Sequence, residues 1–268
     1  MKYYITEPDM RNIFLASLIA ISLALPSPAR AGDGFDTLYQ VSSISNLMAG
    51  AYAGTETVGE LLAHGGFGIG TFDALDGEMV VLDGRCYQVK LDGSARLAVG
   101  SQTTPFAEVT EFESDRVGVP AGPLDMDALK AYIDGLAPDT GIPYAVKVTG
   151  TFSLVRTRSV PKQGMPYPPL VEAVKGQKTR SMEDVKGTLV GFRLPAFMDG
   201  VGVPGYHLHF ITDDSRAGGH VLALITSRVT VHLDDTPEFR MTLPKGFVPG
   251  TAPPTADRSS LKAIEGGR

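Results

Sequence analysis

Residues 69–98 read IGTFDALDGEMVVLDGRCYQVKLDGSARLA. Three Asp-Gly dipeptides, Asp76-Gly77, Asp83-Gly84 and Asp92-Gly93, punctuate its apolar runs. Asp-Gly between such runs is a hairpin signal, because a two-residue type I′ turn needs positive φ at both central residues. The stretch therefore predicts a β-meander. Strand alternation within it puts Glu78 on the same face as Val80 and Leu82. If those two face a core, Glu78 does as well and must meet a cation, a metal or a hydrogen-bond donor, since a buried lone carboxylate is costly. The other arrangement is a turn residue beside Asp76, directed to solvent.

The chain on either side has the same β-rich character. Leu38–Val41 predicts a short strand and Ser43–Ala49 a helical turn. Thr57 and Glu60 have capping-box spacing and open a helix from Val58 to Ala63. LDMDALKAYIDG predicts a helix over 125–135, with acidic residues near its start and a glycine at its end. Tyr144–Val155 alternates as a long strand, and 186–193, 206–211, 220–231 and 237–242 predict further strands. The Pro- and Gly-rich stretch PKQGMPYPP, 161–169, separates two β-rich regions in composition. The expected fold is α/β of a β-rich, α+β-like kind: two domains, 34–150 and 151–268, each built on a mixed or antiparallel sheet with few helices. The tail after Gly250 predicts an irregular segment and a short terminal helix.

Upstream, Ile13–Leu25 is an apolar run preceded by Arg11 and followed by Pro26, Pro28 and Ala29-Arg30-Ala31. That is the three-part pattern of a secretory signal peptide, with cleavage expected after Ala31 and Met10 as a second candidate start. The run is shorter than the ~20 apolar residues of a membrane span, although an uncleaved anchor is the alternative. Nothing later is long and apolar enough to span a bilayer, so an exported product, periplasmic or secreted, without a membrane partner is expected. The chain has 268 residues, 43% hydrophobic and 20% charged, with net charge −6, which fits a folded chain with a sizeable core. Without a basic block there is no footprint for nucleic acid. A single cysteine, Cys86, excludes an intramolecular disulfide and a thiolate cage. Any metal must be held by histidines and carboxylates.

Three of the five histidines fall within residues 207–220. In Gly205-Tyr206-His207-Leu208-His209-Phe210, alternation places His207 and His209 on one face and Leu208 and Phe210 on the other. The polar loop from Thr212 to Gly219 suits a hairpin, whose return brings His220 opposite or diagonal to His209. Three neutral imidazoles fit a catalytic zinc site with open positions, and iron or manganese is possible on the same ligands. The competing reading is two exposed histidines on an edge strand and an unrelated third. His64 and His232 lack such companions. Arg156 and Arg158 share parity with Val146, Val148, Phe152 and Leu154, so an apolar face ends in two guanidiniums. These can bind a substrate carboxylate bidentately or serve a structural ion pair.

The stretches Leu38-Tyr39-Gln40-Val41-Ser42, 66–72 (GFGIGTF), Leu75-Asp76-Gly77-Glu78, 156–161 (RTRSVP), Gly191-Phe192-Arg193 and 205–210 (GYHLHF) together resemble the alpha-acetolactate decarboxylase family. The match runs in order from about 36 to 265. The resemblance implies a zinc-dependent carboxy-lyase converting (S)-2-acetolactate to (R)-acetoin and CO2, in a two-domain architecture that dimerises through the N-terminal sheet. Carried over by position, His207, His209 and His220 match the zinc ligands, Glu78 and Glu265 carboxylates at the metal site, Arg158 the active-site arginine and Thr71 a pocket-lining residue. Nothing in the local sequence of Glu265 singles it out.

The ketone beside the carboxyl-bearing carbon of acetolactate is itself an electron sink. A Lewis-acidic metal stabilising an enediolate therefore makes an organic cofactor unnecessary. Arg158 is expected to hold the leaving carboxylate and to supply or relay the proton, a bound water being an equal candidate given the high arginine pKa. Glu78 and Glu265 would position the substrate hydroxyl, bind the metal or move protons. A zinc hydrolase or hydratase and a non-catalytic metal-binding module are the rival classes.

Overall fold

The computed structural model describes Met1 and residues 36–244. The expected signal segment, the terminal helix and Glu265 lie outside the described residues. From residue 36 onward the described residues belong to one compact unit, Gly32–Arg268. In chain order its strands are β1 (Thr37–Val41), β2 (Glu56–Thr57), β3 (Phe67–Thr71), β4 (Glu78–Leu82), β5 (Arg85–Val89), β6 (Ala95–Leu97), β7 (Thr103–Thr104), β8 (Ala107–Thr110) and β9 (Arg116–Gly118). They continue with β10 (Tyr144–Ser159), β11 (Lys178–Leu194), β12 (Gly205–Thr212), β13 (Gly218–Asp235) and β14 (Glu238–Thr242). Among the described residues, four short α-helices accompany them: α1 (Ile44–Met48), α2 (Val58–Leu61), α3 (Met126–Leu136) and α4 (Leu170–Ala173).

The first sheet has the order β14-β1-β8-β3-β4-β5-β6, with β14 parallel to β1 and the other neighbours antiparallel. The second has the order β10-β11-β12-β13-β9. Because β10 pairs with both β11 and β13 while β12 joins those two, hydrogen bonding around these four strands closes into a circuit. One face of the second sheet, including Val146, Val148, Phe152, Leu208 and Phe210, forms a core capped by Leu129 and Ile133 of α3. On the other face, Ala145, Val190, Phe192 and Ile211 pack against Leu38, Phe67, Ile69 and Val80 of the first sheet. The two sheets thus share a core, and their facing sides form the site described below.

The expected β-rich architecture with few helices is present, the described residues adding a two-stranded β2–β7 sheet to the two large ones, with two local differences. Only Asp83-Gly84 has both residues at positive φ, 50° and 73°, and joins β4 to β5 as the two-residue hairpin anticipated. At Asp92-Gly93 only the glycine is left-handed, and the Asp92 carboxylate accepts from Ser94 N at 2.9 Å, stabilising a wider turn. Asp76-Gly77 closes a longer connection between β3 and β4. Second, β11 begins at Lys178 rather than 186, because its exposed polar first half gains ladder partners from β10 that hydropathy does not signal. β10 runs through position 150 without a break, as the alternation over 144–155 anticipates, and β14 pairs with β1 in the first sheet.

Candidate metal centre and active-site pocket

Alternation along β12 directs His207 and His209 toward the first sheet, while Leu208 and Phe210 enter the opposite core. The β12–β13 hairpin pairs His209 directly with His220, and β10 pairs Arg158 with that same His220. Three adjacent strands therefore present His209, His220 and Arg158 in one row. The imidazole centroids are 5.1, 5.2 and 5.4 Å apart. One potential ligand atom from each ring lies within 4.8 Å of the others, and all three residues are buried.

The ring of His209 is fixed from outside the cluster. Its Nδ1 donates to the Met79 carbonyl at 2.8 Å, since a carbonyl can only accept, and this leaves Nε2 facing the cluster. His207 is pushed down to about 3 by burial and then by the Arg158 charge, so its imidazole stays neutral, the form a metal requires. A buried three-imidazole donor set with one ring oriented by a backbone carbonyl fits a metal ion, zinc among the chemically suitable ones. The single cysteine lies in a different core, where burial pushes its thiol up to about 12.

Glu78 takes the inward arrangement. Its Oε1 is 3.4 Å from Arg158 Nη1 and its Oε2 is 3.7 Å from His209 Nε2. All three side chains are at least nine-tenths buried, so water screens these charges weakly. The parity argument for the arginines needs correction. Phe152 and Val155 enter the same core although they are three positions apart, with register irregularities against β13 around Phe152. A bulge of this kind exchanges the faces of every later residue. Arg158 consequently faces the first sheet with the histidines and does not share the face of Val146 and Val148.

Thr71 lies opposite Glu78 across the β3–β4 ladder, and its Oγ1 donates to Gly77 O at 2.7 Å. A small pocket of about 30 Å³ collects these groups: Thr71, Glu78, Arg158, His207 and His209 supply polar lining. Its apolar wall includes Ile44 and Leu47 of α1, Leu75, Phe106, Val160 and Leu170 of α4. The Pro- and Gly-rich stretch read as a compositional divider leads into this wall. Gln163 N donates to Ala74 O at 2.7 Å, and Tyr167 packs on Tyr52. Two contributors have no sequence signal, the Met79 carbonyl and the β3–β4 connection. In the latter, Ala74 and Leu75 sit at φ 58° and 57°. Left-handed backbone in non-glycine residues costs of order 1–3 kcal/mol each and persists only where its surroundings hold it. His64 stacks on Tyr39 at 3.7 Å and His232 approaches Ser114 Oγ at 3.1 Å, both apart from the three-histidine cluster.

The family model for alpha-acetolactate decarboxylase matches residues 38–247, a span that includes every described polar group of the pocket. A relative from Methanosarcina mazei carrying that name is 49% identical over 217 residues, covering 81% of this chain and 75% of the relative. One from Bacillus subtilis is 37% identical over 207 residues, 77% of this chain and 81% of the relative. The crystal structure of alpha-acetolactate decarboxylase from Bacillus subtilis strain 168 superposes with a TM-score of 0.83 at 34% identity, covering 86% of this chain and all of that one. With sequence and fold similar over most of its length, the chain belongs to the alpha-acetolactate decarboxylase family.

Proposed function

We propose that this chain converts (S)-2-acetolactate to (R)-acetoin and CO2 through an enediolate, with zinc at the three-histidine centre. The observation that carries the reading is the meeting of the buried three-imidazole cluster with the Glu78–Arg158 pair at one pocket. A zinc ion held by His207, His209 and His220 would supply Lewis-acid stabilisation of the charge that passes to the ketone oxygen as CO2 leaves. The other tasks fall to the chain itself. Arg158 has the planar fork that takes a carboxylate. Held there, the breaking carbon–carbon bond can stand perpendicular to the ketone plane, so its electron pair flows into the carbonyl. Glu78 is positioned to hold the substrate hydroxyl or to carry a proton on Oε2, the oxygen nearer His209. Ile44, Leu47 and Leu170 offer the substrate methyl groups an apolar surface and keep water from the carbanionic carbon until the proton arrives.

The same reading places Glu265 at the pocket, pairs two chains through the N-terminal sheet, and assigns residues 1–31 to export. The test is acetolactate turnover by the purified, metal-analysed protein. Acetoin and CO2 should form in equal amounts, and Arg158→Ala should lower kcat/KM by about a hundredfold or more, the scale of losing a buried positioning group. Zinc-dependent ester cleavage without acetoin release would instead favour a hydrolase, and wild-type turnover by the Arg158 variant would remove its assigned role.

A further inference from the structure

We propose that Gln88 and Lys90, both outside the pocket, are positioning residues for Glu78 and act through the Asp76-Gly77 turn. This inference rests on the decarboxylase reading, in which Glu78 meets the substrate. Glu78 is the first residue of β4, so its carboxylate is aimed by the connection that precedes it. Within that connection Ala74, Leu75 and Gly77 all have positive φ, at 58°, 57° and 83°. A Cβ on residue 77 would collide with the Val89 carbonyl, so only glycine fits the close approach of turn and β5. Backbone of this kind does not hold its shape unaided.

Three side chains hold it. Thr71 Oγ1 donates to Gly77 O at 2.7 Å, Gln88 Nε2 donates to Asp76 O at 2.7 Å, and Lys90 Nζ reaches both carboxylate oxygens of Asp76 at 2.6 Å. Two successive carbonyls, of Asp76 and Gly77, and the Asp76 carboxylate are thereby fixed immediately before Glu78. Gln88 is fixed in turn, because its Oε1 accepts from Gln102 Nε2 at 3.1 Å and Gln102 Oε1 accepts from Val99 N at 2.8 Å. Thr71 borders the pocket, but neither Gln88 nor Lys90 does. Their effect on chemistry must pass through the turn. Without them the connection can relax from its left-handed conformation, and Glu78 moves relative to Arg158 and His209.

The test uses the metal-loaded, full-length protein and five variants: Lys90→Met, Lys90→Arg, Gln88→Leu, Glu78→Gln and Lys90→Met combined with Glu78→Gln. Lys90→Met and Gln88→Leu should each lower kcat by about ten- to a hundredfold while KM moves less than about threefold, as expected for lost alignment rather than lost binding. Metal content should stay at the wild-type level, and Lys90→Arg, which still donates to both oxygens, should restore most of kcat. In the Glu78→Gln background, Lys90→Met should add almost nothing, because the group it positions is already gone. An equal loss in both backgrounds, failure of arginine to rescue, loss of metal, or a fall in melting temperature with unchanged kcat would overturn the proposal. Lys90 is about one-third exposed, which favours folded variants, and Gln88→Leu probes the same turn through a different atom. Failure of the wild-type protein to make acetoin would reject the decarboxylase reading separately.

Discussion

Asp234 lies in β13 with none of its surface exposed. Burial, aided by the charges of Asp115, Asp36 and Glu113, pushes its carboxyl up to about 8 from an ordinary 3.8. A folded pKa above the unfolded one means that its stabilising contribution is complete below about pH 3.8 and is lost as pH rises toward 8. Asp234→Asn should therefore raise the melting temperature at pH 9 and change it little at pH 4. Parallel melting curves for both proteins across that range would refute the assignment. Among the site residues, legibility in the sequence followed local geometry. His207 and His209 were readable because two positions on one strand need only strand alternation, and His220 because a polar hairpin loop fixes a return. The face of Arg158 was not readable from periodicity, since the bulge after Phe152 depends on how β10 and β13 meet. The resemblance named Arg158 without explaining its orientation.

Elements place the site through close backbone approach. Gly219 adjoins His220 at φ 138°, and a Cβ there would press on the Arg158 carbonyl and the Thr157 side chain. Gly219→Ala should push β13 away from β10 at the position that aligns His220, lowering both metal occupancy and melting temperature. Gly135 in α3 is the contrasting case, because a Cβ there meets nothing within 4 Å and the backbone is helical. Gly135→Ala should stabilise the protein by about 0.5–1 kcal/mol without altering turnover. Equal effects from the two substitutions would contradict this division. α3 was legible because Asp125 N-caps it, accepting from Ala128 N at 2.9 Å, and because Leu129 and Ile133 share its buried face. β8 was not, although it lies between β1 and β3, because Ala107–Thr110 is too short to show a period of its own. The polar start of β11 was hidden for the related reason that long-range pairing alone makes it a strand.

At the scale of the described folding unit, the candidate metal centre is assembled from both large sheets at once. The three histidines stand on the second sheet, His209 is oriented by Met79 of the first, and the apolar residues beside them join both sheets in one core. An ion that binds only when these elements are assembled stabilises all of them by linkage, with about 2.7 kcal/mol at a free concentration of ~100 Kd. For a unit of this size that corresponds to a melting temperature about 5–10 °C higher than in the metal-free protein. Chelation should lower the midpoint by that amount in a single transition, and added zinc should restore it. His207→Ala, left with two imidazoles, should melt near the metal-free wild type and respond weakly to either treatment. Separate transitions for the two sheets, with only one sensitive to chelator, would show that they do not fold as a unit. A midpoint in the variant that still falls on chelation would place the stabilising ion elsewhere.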